Sequence, residues 1–153
     1  MGEPVTKERL KNYLSLQIEY YNNEDRLARL KNDTEMPALQ AGDGSQRSLL
    51  KSSQMEKAFV RKMDQEKKIK GCQHIIDAEL NAIEDAVDSL PDPLQREVLR
   101  LRYMDSYTCR HMKWGDVAKR IYEDSEDEEA AIMRVWRIHG NALQELKKLG
   151  GQK

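Results

Sequence analysis

Aromatic residues are scarce in this chain: they make up 6% of its 153 residues, with a single Phe. Hydrophobic residues reach only 39% against 35% charged, so much of the chain is expected as exposed helix surface instead of the interior of a compact globule. Four prolines and eight glycines leave room for few turns. Alternating runs of β-branched residues are absent, which argues against a sheet. No apolar run approaches the roughly 18 residues that a membrane span needs, and the opening "MGEPVTKERLKNYL" has no signal-peptide core. A cytoplasmic protein without a membrane partner is therefore expected. Cysteine is nearly absent as well. Cys72 and Cys109 stand far apart, outside any CxxC pair and without His at ligand spacing, as expected of reduced thiols.

The motifs of catalysis are missing too. There is no GxxxxGK, GxSxG or HExxH, and the carboxylates are scattered without a plausible acid/base pair. His74, His111 and His139 lack a Cys, Asp or Glu partner at metal-ligand spacing. The expectation is a protein that is not an enzyme, with no cofactor, no metal and no small-molecule substrate.

What the chain does have is charge in blocks. The net charge is -1, yet residues 1 to 90 carry 14 basic against 16 acidic side chains and residues 94 to 122 carry 7 against 3. Residues 123 to 129, "EDSEDEE", carry 0 against 6, and residues 130 to 153 carry 5 against 1. Two basic segments flank an acidic one.

Helical periodicity runs through the rest, and the expected fold class is all-α. Between Thr6 and about Lys31, Tyr13, Leu16, Tyr20, Leu27 and Leu30 follow heptad spacing, with Asn23 in the one missing place. The segment "TEMPALQAGDGSQRS" favours turns and is expected as a loop at about residues 34 to 48. From about Leu49 to Leu90 a second seam includes Met55, Phe59, Ile69, Ile76, Leu80 and Ile83, interrupted by Lys62, Glu66 and Gln73. Gly71, in mid-helix, costs about 1 kcal/mol relative to Ala. Either an antiparallel hairpin or a dimeric coiled coil would bury both seams.

"SLPDPLQREVL" marks a boundary, so the expected domains are 1–90 and 91–153. Pro91 stops the long helix, Asp92 can cap the next, Pro93 suits its first position, and Gln95 completes a capping-box spacing. Three helices are expected beyond it: Pro93 to about Met104 with Leu94, Val98 and Leu101 inward; Lys113 to Tyr122 with Trp114, Val117, Ala118 and Ile121 inward; and Ser125 to Leu149, where Ser125 and Glu128 have capping-box spacing. In the last, "RVWRIHGNALQELKKL", Val135, Ile138, Ala142, Leu146 and Leu149 form a buried stripe, and Arg134, Arg137, Asn141 and Lys148 gather on another side. Trp114, Trp136 and His139 belong to or border apolar stripes and are expected to pack.

Taken in order, "LPDPLQREVLRLRYMD", "WGDVAKRIY" and "RVWRIHGNALQEL" resemble the DNA-binding final region of bacterial sigma factors. Within that superfamily they are similar to the phage-encoded sigma-like regulators of Gram-positive bacteria, the ArpU and RinA types. About 60 residues carry the resemblance, and a coiled-coil-like first half is also similar to this group. It implies a sigma-like helix-turn-helix in which the Trp114 helix supports and the Arg134 helix enters the major groove of double-stranded DNA. Arg134 and Arg137 would contact bases or phosphates, Asn141 a base edge or phosphate, and Lys113 and Arg120 the backbone. The expected function is a sequence-specific transcription regulator of phage or prophage genes; a homodimer and RNA polymerase are its further candidate partners. The alternative is an interaction module, for example one that grips RNA polymerase, that does not itself bind DNA. "SYTCRHMK" is longer than the family's turn, and "EDSEDEE" adds about seven residues before the matched part of the last helix.

Overall fold

The computed structural model describes residues 3–34, 46–106 and 110–151, and every regular element among them is helical. The elements are α1 (Lys7–Thr34), α2 (Gln46–Asp88), α3 (Pro93–Leu99), continued by a π-helical turn (Arg100–Met104), α4 (Trp114–Ile121) and α5 (Glu128–Gly151). No helix among the described residues is long and apolar enough to cross a membrane. The turn-rich segment expected at about 34 to 48 lies largely outside the described residues; α1 runs through Thr34 and α2 begins at Gln46. The chain packs as two compact units, Met1–Ile18 with Ala78–Lys153, and Glu19–Asp77. A helix boundary does fall beside Leu90, where α2 stops at Asp88, but the last turns of α2 belong with the C-terminal helices instead of dividing from them at residue 90.

In Glu19–Asp77 the chain's two passes are antiparallel: Gln73 meets Asn23, while the charge of Lys31 is felt at Glu66, one heptad earlier in α2. Glu66 is also held below the usual carboxylate range, first by its hydrogen bond to Lys70. Of the breaks in the hydrophobic pattern, Asn23 and Gln73 pair with each other. Asn23 Nδ2 donates to Gln73 Oε1 at 3.0 Å, and Gln73 Nε2 donates to the Tyr20 carbonyl at 2.9 Å and to Glu24 Oε1 at 3.0 Å. Both amides are buried and satisfied, which avoids the roughly 1–3 kcal/mol cost of an unpaired buried polar group. Ile69 and Ile76 pack inward as expected, whereas Phe59, expected in the seam, is exposed along with Val60 and Met63.

The other unit holds the start of α1, the end of α2 and everything after it. Arg9 reaches Glu79 with both prongs, at 2.7 and 2.9 Å, and this pairing raises its pKa further above the usual arginine value. The Tyr13 hydroxyl donates to Glu84, and Arg100 pairs with Asp88. Asp92 caps α3, its Oδ1 accepting from the Leu94 N–H at 2.9 Å, and Pro93 takes the first helical position. The reciprocal half of the expected capping box is absent: Gln95 Oε1 is buried without a hydrogen bond. Leu94 is exposed instead of inward, and Leu99 is fully buried. A π turn follows, closed by the Asp105 N–H on the Arg100 carbonyl at 2.8 Å. It widens the helix by one residue, and Leu101 and Tyr103 within it are both buried.

The core of α3, α4 and α5 is largely the expected one. Val98, Leu101, Val117, Ala118, Ala131 and Val135 form it, with Trp114, Ile121 and Ile138 packed against it. Full burial of each Val or Leu contributes roughly 1.5–3 kcal/mol. α5 starts later than the expected Ser125. Asp127 is its cap: its Oδ1 accepts from the Ala130 N–H at 3.2 Å and its carbonyl from the Ala131 N–H at 3.1 Å, while Ser125 Oγ only donates back to the Asp127 carbonyl.

Candidate nucleic-acid interface

α5 presents two contrasting sides. Ala131, Val135, His139, Ala142 and Leu146 recur at helical spacing and are buried. Arg134, Arg137 and Asn141, at steps of three and four on another side, are all exposed. The Arg134 guanidinium lies 5.8 Å from the centre of the Tyr122 ring, a cation–π contact that steers it along the end of α4. Among the described residues, Arg137 and Asn141 have no hydrogen bond or ion pair, so their polar groups are open to a partner.

The two other expected contacts stand on α4. Lys113 is the exposed N-cap residue, with extended backbone and no side-chain capping bond, and Arg120 is exposed in the last turn. No hydrogen bond or ring contact among the described residues joins either of them to Arg134, Arg137 or Asn141. The basic residue of α4 that does reach α5 is Lys119, 4.0 Å from Glu128. α5 passes close to the start of α4, since a Cβ at Gly115 would lie 3.5 Å from Glu128 Oε1.

The acidic block 123–129 is exposed throughout. Part of it stabilises the start of α5. Asp127 caps the helix, and Glu128 and Glu129 occupy its first turn, where the positive end of the helix dipole stabilises carboxylates by roughly 0.3–1 kcal/mol each.

A polar cluster beneath α5 fixes its orientation. Tyr103 Oη and His139 Nε2 are 2.7 Å apart and buried, and the Trp114 ring meets the imidazole edge-on at 4.8 Å. Burial first, then the positive charges of Lys7 and Arg102, pushes the His139 pKa down to about 4. The ring is therefore neutral at pH 7 and serves as a packed hydrogen-bonding group, as its place on the apolar stripe implied. Burial likewise pushes the Tyr103 hydroxyl up. Arg102 lies 4.4 Å from the centre of the Trp114 ring and donates to the Met112 carbonyl, which ties the π turn to the residues leading into α4. Its Nε is buried and unpaired.

Sequence reasoning missed Arg102 and Tyr103. A periodic count from Leu94 puts neither in a special place; both lie in the π turn, where Tyr103 meets His139 of α5 and Arg102 the Trp114 ring of α4. Trp136 departs in the other direction: expected at the core edge, it is 51% exposed, next to Met133 at 62%. The chain matches no family model, no curated protein and no solved structure.

Proposed function

We propose that this chain is a DNA-binding transcription regulator, with α3 to α5 acting as a sigma-like helix-turn-helix and α5 entering the major groove. The helix pair of α1 and α2 would serve as a hairpin that carries this unit. The observation that supports the reading best is the face of Arg134, Arg137 and Asn141, exposed on a helix whose opposite side is locked into a core. A guanidinium can bind guanine O6 and N7 together, and a side-chain amide can do the same for adenine. Lys113 and Arg120 would add phosphate contacts that position the helix without reading sequence. The resemblance to the ArpU and RinA types supports a phage or prophage setting. Exposed Phe59, Val60 and Met63 support a second copy as a further partner.

The competing reading is a protein-interaction module, for example one for RNA polymerase. Two features favour it: the exposed acidic block at the start of α5, and a net charge of only -1. Selection of bound sites from a random duplex pool tests the choice. The regulator reading expects one enriched site. Arg134→Ala or Arg137→Ala should then weaken it by about 1–3 kcal/mol with relaxed preference at one base pair, or lower affinity on every sequence and the salt slope by about one unit. Absence of an enriched site at any salt concentration would falsify the DNA reading.

A further inference from the structure

Met133, Arg137, Gly140 and Gln144 recur at steps of four, three and four along the side of α5 that faces away from its buried stripe. Trp136 borders this crown on one edge, and Arg134 and Asn141 border it on the other. Two features of the crown have no explanation inside the molecule. Met133 and Trp136, one helical turn apart, leave 62% and 51% of their surface in solvent. Gly140, which lowers helix stability, has nothing within 4 Å of the place where a Cβ would stand. A bare glycine on an exposed crown admits another molecule close to the helix backbone, and the apolar side chains beside it give that molecule something apolar to meet.

Resting on the DNA reading above, we propose that Met133, with Trp136 at its side, reads the C5-methyl group of thymine in the major groove. Thymine is the base that presents an apolar group there. Met133 adjoins Arg134 and lies one turn before Arg137 on the same side, so guanidinium contacts to guanine or phosphate would seat the methionine against base edges. Gly140, seven residues further along the same side, would let the helix sink far enough for that contact. The arrangement assigns a mixed code to α5: guanidinium for guanine, thioether and indole for thymine.

The test uses the full-length protein and the duplex enriched from a random pool. Each thymine is replaced in turn by deoxyuridine, which removes the methyl group and leaves base pairing intact. At one or two positions uracil should weaken wild-type binding by about four-fold, the equivalent of one buried methyl-sized group. The same replacement should make no difference to Met133→Ala, or to Met133→Ala with Trp136→Ala; both side chains are exposed, so unchanged thermal unfolding confirms that the variants fold. An enriched site that depends on Arg134 and Arg137 but tolerates every uracil overturns the thymine contact and leaves the DNA reading standing. A uracil effect of equal size in wild type and Met133→Ala also overturns it. If no duplex is enriched, both readings fall, and loss of a protein partner's binding in the Met133 and Trp136 variants would assign the patch to that partner.

Discussion

In Glu19–Asp77 the buried side chains among the described residues are Asn23, Ile69, Gln73 and Ile76, two amides and two isoleucines. The other unit buries Leu10, Ile83, Leu99, Val117, Val135 and Leu146 to 2% exposure or less, and its buried polar pair, Tyr103 with His139, lies within that apolar surround. Two passes of helix share one narrow seam, and water reaches it from both sides; several helices crossing one another enclose a volume. In the thin seam a polar pair costs little and can specify which turn faces which, because a slip by one heptad would strand both amides. In the thick core the polar pair is costly to break and is confined to one point, where it orients α5. This chain thus separates a register-setting region from a rigid, surface-presenting one.

The largest effect should come from truncation in the thick core. Leu146→Ala should cost about 2–5 kcal/mol, whereas Leu27→Ala, half-buried in the thin seam, should cost roughly 1 kcal/mol. Chemical denaturation of both variants measures the ratio, and equal costs would erase the contrast.

Acid should act on the thick core next. His139 has a folded pKa of about 4 against an ordinary value of 6.5, so the unfolded chain binds its proton more readily. The stability due to keeping this ring neutral is full above about pH 6.5 and is lost as pH falls towards 4, a contribution of roughly 3 kcal/mol. Unfolding midpoints at pH 7 and pH 4.5, for wild type and His139→Gln, isolate it: the variant should show a shallower fall. Parallel slopes would mean that the ring gains its proton without disturbing α5.

The amide pair gives a smaller effect of a different kind. Asn23→Ala leaves Gln73 without a partner for one of its interactions and should cost about 1–3 kcal/mol. Replacing both Asn23 and Gln73 by Leu should recover that stability and lose the unique register, visible in sedimentation as a mixture of species. A double variant that stays as uniform as wild type would show that the apolar positions alone set the pairing.

How far the sequence disclosed these features depends on how local their causes are. The helices, the Asp92 cap and most of the α3 to α5 core follow from spacing and capping chemistry within a few residues of each position. Asn23 and Gln73 were visible as gaps in two seams, but their pairing across 50 residues was not. Leu99, Arg102 and Tyr103 escaped because a count from Leu94 follows a single inward face, whereas this helix buries Val98 and Leu99 side by side and Leu101 and Tyr103 after them. Phe59 and Trp136 show the opposite failure: an apolar residue at seam spacing is buried only where another element arrives to cover it. The basic face of α5 was legible as a face; its partner is not written in spacing at all.

The smallest effect separates packing from function most cleanly, because each unit carries a glycine in mid-helix. Gly71 in α2 and Gly140 in α5 both have open space where a Cβ would stand. Alanine at either position should stabilise its helix by about 0.5–1 kcal/mol, since it restricts the unfolded chain and meets no obstacle in the folded one. On stability alone the two substitutions should therefore be indistinguishable by thermal unfolding. On binding they should part. Gly71→Ala should leave affinity for the enriched duplex unchanged, while the methyl group added at Gly140 would hold the crown of α5 away from the base edges and weaken binding while the protein becomes more stable. A more stable Gly140→Ala protein with wild-type affinity would mean that nothing approaches the backbone there, and the crown would lose its reason for bearing a glycine.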